Sequence, residues 1–409
     1  MDLADVGASG DLAELRRRVG AGTGTGTGTP APAEELAAAL CTCAALGHTD
    51  MVALLADHVD PCTRDGQAVV DAAGGGHLDT VRLLCRAGVP PDAQDSAAVV
   101  AAAKGGHVPV LRYLCTPTEH DGGVCGDAAT KDNEAVVGAA RHGHLPVVKF
   151  LVEDCGVAPS AQGNRAVLGA ALCGHLPVLS YLVHGVPREL GVDPAAYNNC
   201  AVRQAASSGK LQAVRFLCGL PPDWGVDPSS ENNFAVVSAA HHGHAAVVRF
   251  LCGLPLDRGI DPSAKNNTAV CWAADAGHLD VVMFLVEEVP LERGVDLRAR
   301  GNMAVCSAAT NGHLPVLRYL VESVPPGRGV DLRAQMNGCV VGAATRGHLA
   351  VVKYLCTSDN LERGVDPAAR NNAPVTAVCV CVCVCSDPCP PRAAARCPYV
   401  TMGWGGEYV

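Results

Sequence analysis

The residues of this chain best equipped for chemistry are its fifteen histidines and twenty-one cysteines, set among 409 residues. His142 with His144, and His241 with His242 and His244, stand close enough along the chain to suggest metal ligands, because neutral imidazole is a common zinc donor. Thiols gather near the C-terminus, where Cys379, Cys381, Cys383 and Cys385 alternate with valine and Cys389 follows. Such a set could chelate a soft cation, Zn²⁺ or Cu(I). In an extended strand the four alternating thiols would share one face, yet neighbours would stand too far apart for easy disulfides. No catalytic pattern accompanies them. The sequence lacks a Gly-x4-Gly-Lys-Ser/Thr phosphate loop, a His-Glu-x-x-His motif and a Gly-x-Ser-x-Gly elbow, and Gly209-Lys210 has no glycine-rich turn before it. The chain therefore reads as a non-enzyme without a cofactor.

The elements that would position these side chains come from a repeated phrase, Gly-His-Leu-x-Val-Val-x-Phe/Tyr-Leu. Its histidine stands at His48, His77, His107, His144, His175, His244, His278, His313 and His348, with Lys210 filling the slot once and Asp11 opening the series. Intervals between successive positions run from 29 to 37 residues, so the phrase marks eleven units. Nine of the fifteen histidines are thus one repeated position, where the ring is expected to cap or pack at the start of a helix rather than bind metal.

Each unit resolves into two short helices. Asn133, Asn164, Asn199, Asn233, Asn267, Asn302 and Asn337, with Ser96 and Gly66 in earlier copies, precede Ala-Val phrases and are expected to cap the first helix at its N-terminus. The glycine before each histidine is expected to end that helix in a left-handed conformation. Pro109, Pro146, Pro177 and Pro315 fall in the first turn of the second helix, where a missing N–H costs nothing. A Gly-Val-Asp loop leads onward, as at Gly294-Val295-Asp296 and Gly329-Val330-Asp331. A pair this small cannot bury its apolar face alone and must stack on its neighbours. At roughly 10 Å per helix layer, eleven units would extend on the order of 100 Å.

Composition agrees with a thin stack. Hydrophobic residues make up 49% of the chain but aromatics only 4%, with 45 glycines, which suits slender close-packed helices better than a thick core. A net charge of −10 offers no overall positive field for a polyanion, so nucleic acid is disfavoured as a ligand. Met1 to Leu15 is acidic without an apolar core, and no apolar run approaches the roughly 20 residues that span a bilayer. The expectation is a soluble, cytoplasmic monomer with no membrane partner. Cys85, Cys115, Cys218, Cys252 and Cys356 each follow the same leucine of the repeat and read as small packing residues with reduced thiols.

The phrase Ala139-Ala140-Arg141-His142-Gly143-His144-Leu145-Pro146-Val147-Val148, in register with its copies, resembles the ankyrin repeat over roughly residues 4 to 372. The family's Thr-Pro-Leu-His turn is absent and Asn-x-Ala-Val stands in its place, as in a variant with a trimmed hairpin finger. The resemblance implies an all-α ankyrin-type α-solenoid of about eleven helix-pair repeats over residues 1–372. It also implies a protein-binding scaffold or adaptor whose partner lies on the concave face formed by the first helices. Positions that vary between copies would carry the contact. Phe234, Trp272, Met303 and Arg346 are the preferred anchors, because aromatics, Met and Arg dominate interface cores; Arg141, His142, His241 and His242 flank them. Drift at unselected surface positions, or local packing of Trp272, would leave the same pattern. A second stripe, Arg82, Arg112, Lys149, Arg215, Arg249, Arg318 and Lys353, forms a basic ladder on the second helices. It suits either an acidic segment or, more simply, a solvated face with paired charges.

Two segments break the pattern. A flexible Gly-Thr insertion occupies 21–33, and a low-complexity, disordered Cys/Val/Pro-rich tail occupies 373–409. The tail carries the alternative readings of function: a soft-metal or redox site on its cysteines, or an ankyrin fragment of a larger protein whose effector domain is lost. Leu349, Val352 and Leu355 are expected to leave an exposed apolar end on the last unit. Alternating Val and Cys is what a GT dinucleotide tract encodes, so Val378–Cys385 reads as a recent expansion, a frameshift or a retained intron. Transcript sequencing across the codons for Asn372 to Cys397 is expected to show a junction or a change of frame, and an uninterrupted reading would remove that interpretation.

Overall fold

The structure, a computed structural model, describes residues 2–20, 32–116, 126–290, 293, 295–324 and 336–356. Most of the Gly-Thr insertion, the Gly329-Val330-Asp331 loop and the whole tail, including Cys379, Cys381, Cys383, Cys385 and Cys389, lie outside the described residues. Among those described, all regular structure is helical. Eleven helix pairs follow in order, from Leu3–Ser9 with Leu12–Gly20 to Met336–Thr345 with Leu349–Leu355. The pairs fall into two compact bodies. One comprises the chain up to Ala201 with Gly219–Val226, the other Val202–Cys218 with the chain from Asp227 onward.

Within each body, first helices pack on first helices and second helices on second helices of the neighbouring repeat. Between the layers lie the alanines, valines and leucines of the repeat. Leu84, Leu111, Leu151 and Leu179 in the first body, and Leu217, Leu251 and Leu285 in the second, are fully buried. Each contributes roughly 1.5–3 kcal/mol of burial. Val352 and Leu355 of the last repeat are also buried, contrary to the expected apolar end, and only Leu349 is exposed, at 47%. Alanine pairs such as Ala139-Ala140 and Ala239-Ala240, all at 0% exposure, let the first helices approach closely.

The glycine of each Gly-His pair ends the first helix in the left-handed region, as at Gly143 (φ +83°). There the Gly143 and His144 N–H groups donate to the carbonyls of Ala140 (3.3 Å) and Ala139 (3.0 Å), closing the helix end with a Schellman-type pair. Prolines occupy the first turn of the second helix in the fourth, fifth, sixth and tenth repeats. In the fifth, sixth and tenth repeats that helix then widens into a π turn, at Phe150–Asp154, Tyr181–Gly185 and Tyr319–Ser323.

The repeated asparagine is not an N-cap. Asn133, Asn164, Asn199, Asn233, Asn267 and Asn302 each stand third in a left-handed turn, with φ between +61° and +65°; Ser96 (+58°) and Gly66 (+74°) hold the same place. The helix proper begins after them. Their side chains reach outward instead. Asn164, Asn233 and Asn267 accept the backbone N–H of Asp193, Asp261 and Asp296, each at 2.8 Å, in the loop that leads to the next repeat. Ser96 takes the Asp127 N–H in the same way (2.9 Å), while Asn133 donates to the Ala158 carbonyl (2.8 Å). The loop aspartate in turn accepts an N–H two residues on, as in Asp261 to Ser263 (2.8 Å). Left-handed backbone costs an L-residue about 1–2 kcal/mol and Asn tolerates it best, so one residue satisfies both the backbone and the buried link.

Asn233 is almost fully buried. Asn233→Ala is expected to lower stability by about 1–3 kcal/mol, because it strands the Asp261 N–H and loses the left-handed preference. Asn233→Asp, which keeps an acceptor, should cost less. Urea unfolding followed by circular dichroism measures both, and an Ala variant no less stable than the Asp variant would remove the bridging role.

Candidate partner-binding surface

In seven repeats the histidine bonds across to the repeat before it. In the first body, Nε2–H of His77, His107, His144 and His175 donates to the carbonyls of Ala45, Gly74, Lys104 and Arg141, each at 3.0 Å. In the second body, His244, His278 and His313 donate to Ser207, His241 and Asp275 at 2.9–3.1 Å. The acceptor always lies two residues before the glycine. The ring covers that glycine so closely that a Cβ on Gly143 would sit 2.5 Å from His175 Nδ1. Glycine there is required twice over, by backbone and by contact. These histidines stand at the start of the second helix as expected, but they link repeats rather than cap helices.

The paired histidines are similarly committed. Nδ1–H of His142 and His242 donates to the carbonyl four residues back, Gly138 and Ser238, at 2.9 Å. Their rings stack on the repeat histidines, with centroids 6.3 Å apart for His142–His144 and 6.1 Å for His242–His244. Among the described residues no group of three or more His, Cys, Asp or Glu side chains is arranged to hold a metal ion.

The basic ladder is engaged as well. Arg82, Arg112 and Lys149 lie over the rings of Tyr113, Phe150 and Tyr181, and Arg215, Arg249 and Arg318 over those of Phe250, Phe284 and Tyr354, at 4.7–5.5 Å. Each cation thus covers the aromatic residue of the following repeat. Carboxylates add to this at Arg112–Asp154 (3.8 Å) and Arg249–Glu288.

Of the candidate positions, Arg141, His142, His241 and His242 take part in these contacts, whereas Phe234, Trp272, Met303 and Arg346 have other neighbours. In the second body, Trp272 is 37% exposed, and its ring meets His241 edge-on at 5.2 Å, while His241 meets His242 at 5.0 Å. Equivalent positions elsewhere hold Thr42, Asp71, Ala101, Gly138, Gly169, Gln204, Ser238, Ser307 and Gly342. Arg203 lies over Phe234 at 5.6 Å, and Arg300 points Nη1 at the Met303 sulfur (3.9 Å). Arg346 donates to Asn311 Oδ1, and Asn311 Nδ2 donates to the Asp275 carboxylate (2.8 Å), so a polar chain crosses three repeats. Trp272, His241 and His242 therefore form one cluster; Phe234, Met303 and Arg346 stand in neighbouring repeats with partners of their own. In the first body, Arg141 and His142 are exposed side by side at the end of one first helix.

Three features escaped the sequence reading. Tyr197 is 63% exposed and opens its left-handed turn at φ +53°; its ring lies over Gly163, leaving no room for a Cβ there. Leu256 is 75% exposed on a 3₁₀ turn, Leu256–Arg258. In that turn Arg258 donates to the Cys218 carbonyl (3.0 Å), as Arg293 donates to Leu254 (3.1 Å) in the next repeat. The recurrence of Arg immediately before Gly in the loop phrase was the available signal for this last contact.

A family model of ankyrin repeats, three copies long, matches residues 72–162, 136–232, 202–300 and 236–336. Together these run unbroken from residue 72 to residue 336, well over half of the chain. The chain belongs to the ankyrin-repeat family. A comparison with curated proteins finds no match. Ankyrin repeats are generally protein–protein interaction modules, and the family is typically non-enzymatic. Among the described residues of this ankyrin-repeat protein, no helix is long and apolar enough to cross a membrane.

The links between its repeats carry a pH dependence. Burial pushes the His244 pKa below its usual value, opposed by the bond to the Ser207 carbonyl, with His242, His278 and Lys210 adding smaller lowering effects. The unfolded chain therefore takes up the proton first, and stability present above the ordinary histidine pKa is lost as pH falls through the folded-state value. Thermal unfolding is expected at lower temperature at pH 5 than at pH 7.5, with the drop reduced in His244→Gln. An equal drop in variant and parent would exclude His244 as a contributor.

Proposed function

We propose that the protein is a scaffold or adaptor that binds a protein partner on the face carried by its first helices. Trp272, His241 and His242 form the anchor in the second body, and Phe234, Met303 and Arg346 extend the surface over adjacent repeats. Arg141 and His142 offer a smaller contact in the first body. The observation that carries this reading is Trp272, a large aromatic side chain left over a third exposed where other repeats place smaller residues: alanine, glycine, serine, threonine, aspartate or glutamine. An aromatic of this size gains most when a partner buries it, and Trp and Arg are the residues most enriched among interface anchors. The core does not need it, because equivalent repeats close around far smaller side chains. The protein acts as a cytoplasmic monomer, with the repeats of residues 1–372 as its binding domain.

The test compares the intact chain with a Trp272→Ala/Met303→Ala/Arg346→Ala variant in affinity capture from the native lysate with quantitative mass spectrometry. At least one partner is expected to fall about tenfold or more in recovery, while helical circular dichroism stays unchanged. Identical partners at identical yield would move binding off this face.

A further inference from the structure

Three apolar side chains that keep part of their surface open, Phe234, Trp272 and Met303, follow one another on the first helices of the eighth, ninth and tenth repeats. All three belong to the second body. Cations edge this row on both sides. Where the helices begin, Lys265 and Arg300 are exposed on the left-handed turns of the ninth and tenth repeats. Arg300 leans back over the ninth, donating through Nη2 to the Lys265 carbonyl (2.6 Å) and to Thr268 Oγ1 (3.2 Å). Where the helices end, the exposed Arg346 of the eleventh repeat donates to Asn311 Oδ1 in the tenth.

The charges along this row do not cancel. Among the described residues, the groups that Arg300 and Arg346 meet are all neutral: a thioether, a carbonyl, a hydroxyl and an amide. Lys104 in the first body and Arg249 on a second helix are instead paired with Glu134 and Glu288. Asp275 sits in the same polar chain as Arg346, and its carboxylate accepts Asn311 Nδ2 (2.8 Å). Arg203 adds a further cation over Phe234, at 5.6 Å. From Ala196 to Arg346, the first helices with Arg346 just beyond the last of them hold four cations, Arg203, Lys265, Arg300 and Arg346, against two carboxylates, Glu231 and Asp275. The whole chain carries −10, so this face opposes the sign of the rest.

We infer that the occupant of this face is an extended acidic peptide segment of a protein partner. An aromatic or large aliphatic residue of the segment seats against Trp272 and Met303, and its Asp or Glu side chains reach Lys265, Arg300 and Arg346. The inference rests on the binding role proposed above for this face and names the chemistry of the partner. Guanidinium and carboxylate match in shape as well as charge, complementary charge selects among segments, and burial of the indole supplies affinity. Crossing from the eighth repeat to the tenth, at roughly 10 Å for each step, takes about six residues of extended chain. Phosphate would meet the same cations, but the negative field of the whole chain opposes a polyanion far longer than this row.

The experiment selects phage-displayed random peptides, each longer than this span, on the full-length protein. Enriched peptides are expected to carry Asp and Glu on both sides of an aromatic or large aliphatic residue. In fluorescence anisotropy, a selected peptide should bind at least about tenfold more weakly to an Arg300→Gln/Arg346→Gln variant and to Trp272→Ala, with helical circular dichroism unchanged. Its affinity for the unsubstituted protein should fall as salt is raised. Enrichment of basic or uncharged peptides that Trp272→Ala releases would overturn the acidic partner while leaving the binding face in place. Peptides that neither variant weakens would overturn both readings, and a selection without enrichment would overturn this one. Single-stranded oligothymidine binding as tightly as the selected peptide would make the partner a nucleic acid and overturn it as well. The composition of peptides selected on the unsubstituted protein decides the point even where a variant folds poorly.

Discussion

One contact recurs at seven junctions between repeats: an imidazole donates to a carbonyl of the preceding repeat and crowds its glycine. A single such bond adds about 1 kcal/mol net, and in a linear array each repeat depends on the neighbour it touches. The contact constrains three residues at once. The acceptor carbonyl must be left open by the end of the first helix, the glycine must take a left-handed conformation without a Cβ, and the ring must reach across. Gly143 and His175 show how tightly these demands are coupled, because a methyl group on one would collide with the other.

Other links follow the same logic at different heights of the stack. The left-handed turns hold the incoming loop through Asn164, Asn233 and Asn267, and the cations of the second helices cover the next repeat's aromatic rings. A residue that forms such a link has little freedom to meet a partner. The basic ladder is therefore better understood as packing than as a docking stripe, and the same holds for the repeat histidines as metal ligands. Under the proposed function, recognition falls to the first-helix positions that vary between copies, with Trp272 the bulkiest among them.

Much of this architecture was legible in the sequence. Helix pairing, the glycine ends, the prolines at Pro109 and Pro146, and the membership of an ankyrin array all follow from a phrase repeated in register, because local backbone preferences and apolar periodicity act over a few residues. The asparagines misled for a physical reason: Asn is favoured both at helix N-caps and in the left-handed region. Only the position of the Asp261 N–H, nearly thirty residues further on, separates the two roles. The candidate surface was legible as a set of positions, Phe234, Trp272, Met303 and Arg346, but the neighbours of each were not.

By itself, the sequence determined the repeat, its two helices, the residues that end them and the positions free to vary, since all of these are encoded within one repeat length. Tertiary structure decided which side chains spend themselves on stacking and which are left over. His241 meets Trp272 and Arg346 meets Asn311 only because consecutive repeats bring together residues about thirty to forty apart, a distance over which the chain pattern carries no information about contact.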